Sequence, residues 1–368
     1  MIDNKNIFLK KKILIYGLGK SGLSTYKFLN KKAKVYLFDD NLKKKFRHQP
    51  KQWISNIKEI SKIKFDIIII SPGIDILNCK LSKFLKKNES KIYTDLDIFY
   101  SFYKNKSITI TGTNGKSTTA KILHDILSDQ NYDCRLIGNI GNPALSEKKI
   151  TKKTVFVIEA SSYQLDYSQL FTSKYSVILN ISPDHLERHK NLKNYTKIKS
   201  KIFFAQKKND YAYVNYNNKY TKLIKKIFNS KKIKSNLILV KKSENINLLK
   251  KIDNKYFKSG GNIENLIFAY RIAKNLNINE KIIINAVNKF KGLPHRQETV
   301  FSRKNLLCIN DSKATSFDAS LQSLLNYKNI YWIVGGLPKL KDHFNIKEVK
   351  KNILKAYIIG KHTSFFRK

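Results

Sequence analysis

Short apolar runs punctuate this chain, and each ends in glycine or in a polar cluster. Residues 12–16 (Lys-Ile-Leu-Ile-Tyr) read as a strand, 20–30 as a helix and 35–38 as the next strand, which ends in Asp39 and Asp40. Residues 65–70 carry apolar side chains on both faces, the pattern of a parallel strand covered on both sides. The same order returns from about residue 105, with a strand over 107–111, a helix through Leu127 and strands over 155–158 and 176–180. Further strands are predicted over 306–310, 330–334 and 356–359. Strands alternating with helices predict an α/β chain with parallel sheets.

The glycines say where these strands deliver their chemistry. The chain holds 14, nearly all where a predicted strand ends or a helix begins. Glycine costs backbone entropy, so such positions mark positive φ or a ligand close to the backbone. Gly17-Leu18-Gly19-Lys20-Ser21-Gly22 fits G-x-G-x-x-G and opens a helix, whose free N–H groups and dipole favour a phosphate. With Asp39 20 positions after Gly19, this segment alone predicts a dinucleotide site or a plain tight turn. Gly112-Thr113-Asn114-Gly115-Lys116-Ser117-Thr118 is a compact phosphate loop between strand and helix. Its amides would cradle phosphates, Lys116 would neutralise the outer oxygens, and Ser117 or Thr118 would ligate Mg²⁺. ATP or GTP is the expected ligand. Glu159 and His185 follow apolar strands, and parallel strands would bring both to the edge that carries this loop. A carboxylate and a neutral imidazole there suit Mg²⁺ or its water. Alone, His185 would be a surface or core histidine.

Length and composition bound the rest. The chain of 368 residues predicts two or three domains, and 42% apolar residues suffice for real cores. Lys+Arg 72 minus Asp+Glu 27 gives +45, which taken naively points to nucleic acid or an anionic membrane. Only seven of the basic residues are arginine, however, and the chain is rich in Lys, Asn, Ile, Phe and Tyr, whose codons are A/T-rich. A biased genome gives this pattern without a polyanionic partner, and no nucleic-acid partner is expected. Three scattered cysteines (Cys79, Cys134, Cys308) offer neither a disulfide framework nor zinc spacing. No signal peptide and no membrane-length apolar stretch is evident, so a cytoplasmic protein without membrane insertion is expected.

Taken together, the motifs resemble the Mur ligases of peptidoglycan synthesis. The resemblance rests on TGTNGKST (111–118), GNIG (138–141), EASSYQL (159–165), SPDHLERH (182–189), GLPHR (292–296), NDSKATS (310–316) and GGLPK (335–339), in that order. GLGKSGLS (17–24) and SPGI (71–74) point to the branch that adds D-glutamate. The resemblance implies three domains: a Rossmann-like domain (1–104), a central P-loop ATPase domain (105–296) and an incomplete C-terminal Rossmann-like domain (297–368). It implies a monomer using ATP and two Mg²⁺, with UDP-MurNAc-L-Ala and D-glutamate as substrates. The first domain would then hold a UDP-sugar rather than a dinucleotide, with Gly19, Lys20 and Ser21 at the diphosphate and Asp39 and Asp40 by the uracil. Ser71 and Gly73 would close that pocket, and Asn139 would contact the substrate or the phosphates.

By the same resemblance, Gly112–Thr118 bind the triphosphate, Asn262 and Asn265 lie near the adenine, and Arg296 and Asp311 hold ribose and phosphates. Ser117 and Glu159 would hold one Mg²⁺, and His185 with a carbamylated Lys199 the other, so that Lys116, His185 and Lys199 carry the catalysis. From its own residues, Lys199 is one of many helix lysines on a solvated face. Lys313, Thr315 and Lys339 would bind D-glutamate. A site built from three domains implies hinges near Lys104 and Lys291. Two departures stand out: Gly261 precedes Asn262 where the family usually has histidine, and nothing matches the family's last D-glutamate segment. The expectation is a chain that stops early, folded through about residue 290, with weak or no ligase activity and an exposed sheet edge. The competing readings are another ligase of this core, such as the folate-glutamate type, and a nucleotide-dependent RNA-binding protein.

Overall fold

The computed structural model describes residues 6–41, 52–258, 260–338 and 346–367. Its first sheet comprises β1 (Lys12–Tyr16), β2 (Lys34–Phe38), β3 (Ile67–Ile70) and β4 (Ile92–Tyr93), in the order β2-β1-β3-β4, all parallel. The second comprises β5 (Ser107–Thr111), β6 (Cys134–Gly138), β7 (Val155–Glu159), β8 (Tyr175–Ile178), β9 (Tyr211–Asn215) and β10 (Asn236–Val240). These six parallel strands run in the order β10-β9-β8-β5-β7-β6. Both sheets reverse direction at their first strand: β1 has β2 on one side and β3 on the other, and β5 has β7 and β8. Ligands collect at the carboxyl end of the strand where the order reverses. The two glycine loops predicted from sequence sit at these two places.

The middle strands are dry. Ile108 and Ile110 of β5 and Val157 and Ile158 of β7 are fully buried, packed between the helix Lys116–Asp129 and the helix Gly260–Asn275 on one face and a second apolar cluster on the other. Burying such a side chain contributes about 1.5–3 kcal/mol, so the strand set alone fixes the position of its loops.

The two sheets share a core, with Phe99 of the first region edge-on to Phe156 of β7 at 4.8 Å. A buried carboxylate adds direction. Asp97 Oδ1 accepts from the Ser168 hydroxyl and from the backbone N–H groups of Gln169, Leu170 and Phe171, at 2.7–3.0 Å. Its other oxygen caps its own helix at Thr94.

Beyond residue 297 the three strands expected are present, and a fourth that was not expected precedes them. Strand β11 (Glu298–Arg303) turns back through two residues into β12 (Leu306–Asn310) as an antiparallel hairpin, while β13 (Ile330–Gly335) and β14 (Ile353–Ile359) form a separate parallel pair. A two-residue connection enforces antiparallel pairing, which the polar sequence of β11 had hidden. The predicted strand over 176–180 also ends early, at Ile178. Asn180 leaves the ladder to bind the phosphate loop: its carbonyl accepts from Thr113 N at 3.0 Å and its side chain from Asn114 N at 2.8 Å.

Candidate functional site

The phosphate loop leaves β5 and closes into the helix Lys116–Asp129. Gly115 sits at φ +82°, and a Cβ there would stand 2.0 Å from Asn265 Oδ1, so only glycine lets the helix Gly260–Asn275 pack this closely. Asn265 in turn accepts from the Thr119 hydroxyl at 3.2 Å. The Lys116 ammonium lies over the loop and donates to the carbonyls of Gly112 (3.0 Å) and Thr113 (2.7 Å).

A cleft of about 250 Å³ opens above this loop. It gathers Thr113, Asn114, Gly115, Lys116, Ser117 and Thr118 with His185, Asn262 and Asn265, and adds Arg296, Asp311, Lys313 and Thr315 from the C-terminal side. Arg296 Nη2 donates to Ser117 Oγ at 3.2 Å, and Asp311 accepts from Gln297 N and the Ser323 hydroxyl. Burial pushes the Asp311 carboxyl up.

Glu159, at the end of β7, is 1% exposed. Its Oε1 accepts from Asn139 Nδ2 at 2.8 Å, whereas its Oε2 is buried with no hydrogen-bond partner. An orphaned carboxylate oxygen beside a phosphate loop suits a cation. Among the described residues no cluster of three or more His, Cys, Asp or Glu could hold a metal by itself. Mg²⁺ takes one or two protein oxygens and completes its shell with water and phosphate oxygens.

The solvated-face reading of Lys199 is overturned: its side chain is 1% exposed. Its Nζ donates to Gly112 O at 2.9 Å and to Thr111 Oγ1 at 3.3 Å, beneath the loop. Burial, with the Lys116 charge beside it, holds its amine well below the ordinary lysine value. His185 lies at φ +54°, its Nδ1 2.7 Å from the Tyr163 hydroxyl. Burial and Glu187 push that phenol up to about 12.

The predicted first-domain residues gather elsewhere, at the end of β1. Gly19 caps the helix Lys20–Leu29, which contains Ser21. Asp39 Oδ2 accepts from Leu18 N at 2.6 Å and so holds the turn from below, while Asp40 accepts from the Tyr16 hydroxyl at 2.8 Å. Ser71 donates to Gly17 O at 2.5 Å, with Gly73 two residues on. Lys339 lies outside the described residues. Sequence reasoning missed Asn180, Glu264 and Tyr256, all lining the cleft. An asparagine two residues past an apolar strand was the one signal for Asn180; Glu264 and Tyr256 gave none.

A phosphate cradle at the reversal point of a parallel sheet, with a buried lone carboxylate and a basic residue on each flank, defines a nucleotide-dependent enzyme of the P-loop type. Comparison with known proteins narrows this. The chain matches the Mur ligase middle domain over 110–294 and the MurD-like N-terminal domain over 11–92. The Rickettsia felis UDP-N-acetylmuramoylalanine–D-glutamate ligase is 36% identical, over 99% of this chain and 84% of its own. The enzyme of that name from Clostridioides difficile is 30% identical, over 95% and 83%. Among solved structures, UDP-N-acetylmuramate-alanine ligase MurC from Thermotoga maritima superposes with a TM-score of 0.52 at 15% identity, over 96% of this chain and 97% of its own. MurF ligase from Thermotoga maritima in complex with ADP gives 0.52 at 13%, over 96% and 89%. The chain belongs to the Mur ligase family.

Proposed function

We propose that this chain is an ATP-dependent amide ligase that joins D-glutamate to UDP-N-acetylmuramoyl-L-alanine in peptidoglycan precursor synthesis. The observation that carries it is the convergence of Lys116, His185 and Arg296 on one cleft, with the unpartnered Glu159 oxygen buried at the end of a strand paired with the one that carries the phosphate loop, in a chain whose curated relatives bear that enzyme's name. In the reaction, the L-alanyl carboxylate attacks the γ-phosphorus of ATP and ADP leaves. The D-glutamate amine then adds to the acyl-phosphate carbonyl and loses a proton. The tetrahedral adduct expels phosphate and leaves the amide.

The physical problem is that an anion must approach a triphosphate. Lys116 and Arg296 supply fixed positive charge there. Bound Mg²⁺ would add the same kind of charge, held by Ser117 and Glu159 at one position and by His185 and Lys199 at a second. A neutral buried amine is the form that attacks CO₂, so carbamylation of Lys199 would form an N–C bond, release a proton and leave an anion facing the metal. Asn262 and Asn265 would lie by the adenine and Asp311 by the ribose. Gly19, Lys20, Ser21, Asp39, Asp40, Ser71, Gly73 and Asn139 would serve the UDP-substrate, and Lys313, Thr315 and Lys339 the D-glutamate.

The division into 1–104, 105–296 and 297–368 gives each part a main ligand, with Asn139 of the central part reaching toward the UDP-substrate and Asp311 of the last part toward the nucleotide. The protein would act as a cytoplasmic monomer on small molecules, not on nucleic acid. No helix among the described residues is long and apolar enough to cross a membrane. Phosphate release from ATP decides the matter, with D-glutamate, L-aspartate and diaminopimelate compared as acceptors. Release is expected only with UDP-N-acetylmuramoyl-L-alanine present, and highest with D-glutamate. Release indifferent to that substrate, or RNA binding with a steep salt dependence, would overturn the reading.

A further inference from the structure

One buried guanidinium joins the two ligand regions. Arg188 lies three residues after His185, in the short helix Leu186–His189 of the central region. Its side chain is only 9% exposed. It points across to the first domain, where Nη2 donates to Ile74 O at 2.7 Å, and the same Nη2 donates to the hydroxyl of Tyr167, in its own domain, at 2.7 Å. The same Tyr167 oxygen accepts from Ile76 N at 3.3 Å. Asp75 and Asp166 flank Arg188 Nε from opposite domains at 3.8 and 3.9 Å. Its guanidinium carbon lies 5.3 Å from the ring centroids of both Tyr163 and Tyr167. Tyr163 also touches His185 at 2.7 Å.

The chain of contact is therefore continuous. It runs from the loop Ser71–Ile76, through Arg188 and Tyr163, to the imidazole in the nucleotide cleft. A lysine could not make it, because a point charge lacks the planar group that donates from Nη2, sets Nε beside Asp75 and Asp166 and lies near two rings at once.

The geometry points to Arg188 as a positioning residue: a strap that sets the first-domain loop 71–76 against His185, so that filling one ligand region is felt at the other. This rests on the reading of that loop as part of the UDP-substrate pocket. Arg188 is placed on neither ligand and acts through Ile74 and Tyr163. The Asp97 clamp is a separate tether between the same regions, so loss of Arg188 leaves the domains packed.

Two measurements on the full chain test the strap. The first needs no ligand. Hydrogen exchange at amides 74–77 is expected to speed up in R188M and in R188K, with the strands of the central sheet unchanged. The second is calorimetric. UDP-N-acetylmuramoyl-L-alanine and a non-hydrolysable ATP analogue with Mg²⁺ are titrated singly and together into wild type, R188M and Y167F. Wild type is expected to bind each ligand about five- to tenfold tighter when the other is present, a reciprocity that linkage requires. R188M is expected to bind the nucleotide alone within about twofold of wild type, and to lose the coupling, with Y167F in between.

General damage to folding would weaken nucleotide binding as well, so the split between the two readings marks a strap. Unchanged exchange at 74–77 in R188M, or coupling that survives the substitution, overturns the proposal. Wild type that binds no UDP-substrate, with R188M still freeing 74–77, overturns the ligand reading and leaves the strap standing.

Discussion

The central sheet and the region after residue 297 are built to different standards. Ile110, at the centre of β5, is fully buried, and every residue of that strand is covered. In β13 and β14, by contrast, Ile333 is 69% exposed and Leu354 59%. The later region has a small core of Phe317, Leu324 and Val349. It meets the central region through polar contacts: Asn114 and Ser182 both donate to Asp318, and Lys313 N donates to His295 O at 3.0 Å. Rigid packing thus places the nucleotide end of the cleft, whereas hydrogen bonds place the residues that complete it. A cleft assembled this way can be preorganised for triphosphate and still be adjustable on the other side.

The contrast is tested hardest in the sheet itself. Ile110→Ala should destabilise the chain by about 2–5 kcal/mol, read from a denaturant midpoint. Lys116→Met should leave that midpoint in place and weaken Mg-nucleotide binding by about a hundredfold in calorimetry.

The third prediction concerns acid. Burial and the Arg188 charge push His189 from 6.5 down to about 4. Between those values the unfolded chain binds a proton that the folded chain does not. Stability present above pH 6.5 is therefore lost as pH falls toward 4, by up to about 3 kcal/mol. His189→Gln should flatten that slope in pH-dependent unfolding.

Gly115→Ala should cost about 1–2 kcal/mol from the positive φ alone, with nucleotide affinity reduced as Asn265 is displaced. The smallest effect closes the comparison. Ile333→Ser, at an exposed position, should stay within about 0.5 kcal/mol of wild type. A cost like that of Ile110→Ala would show that the C-terminal region is as tightly built as the sheet.

Much of the fold and part of the cleft could be read from the chain. Strand β1 and the loop 112–118 announce themselves through apolar runs ended by glycine, because both depend on residues adjacent in sequence. Strand β11 did not, since its exposed residues give no clear apolar run, and without it the antiparallel pairing of β12 could not be read. Lys199 shows the limit most clearly. A lysine in a lysine-rich helix carries no local mark of burial, and its partners Thr111 and Gly112 lie 88 and 87 positions away.

Local order therefore determined which segments are strands, where their loops turn and which loop suits a phosphate, since periodicity and backbone freedom are properties of neighbouring residues. The tertiary structure alone decided that Lys199 loses its water, that Glu159 keeps an unpaired oxygen, that Asp97 clamps a loop from another domain and that Arg188 spans two regions. Each of these follows from packing between distant segments, and desolvation there sets the charge and direction of a group that the bare chain leaves open.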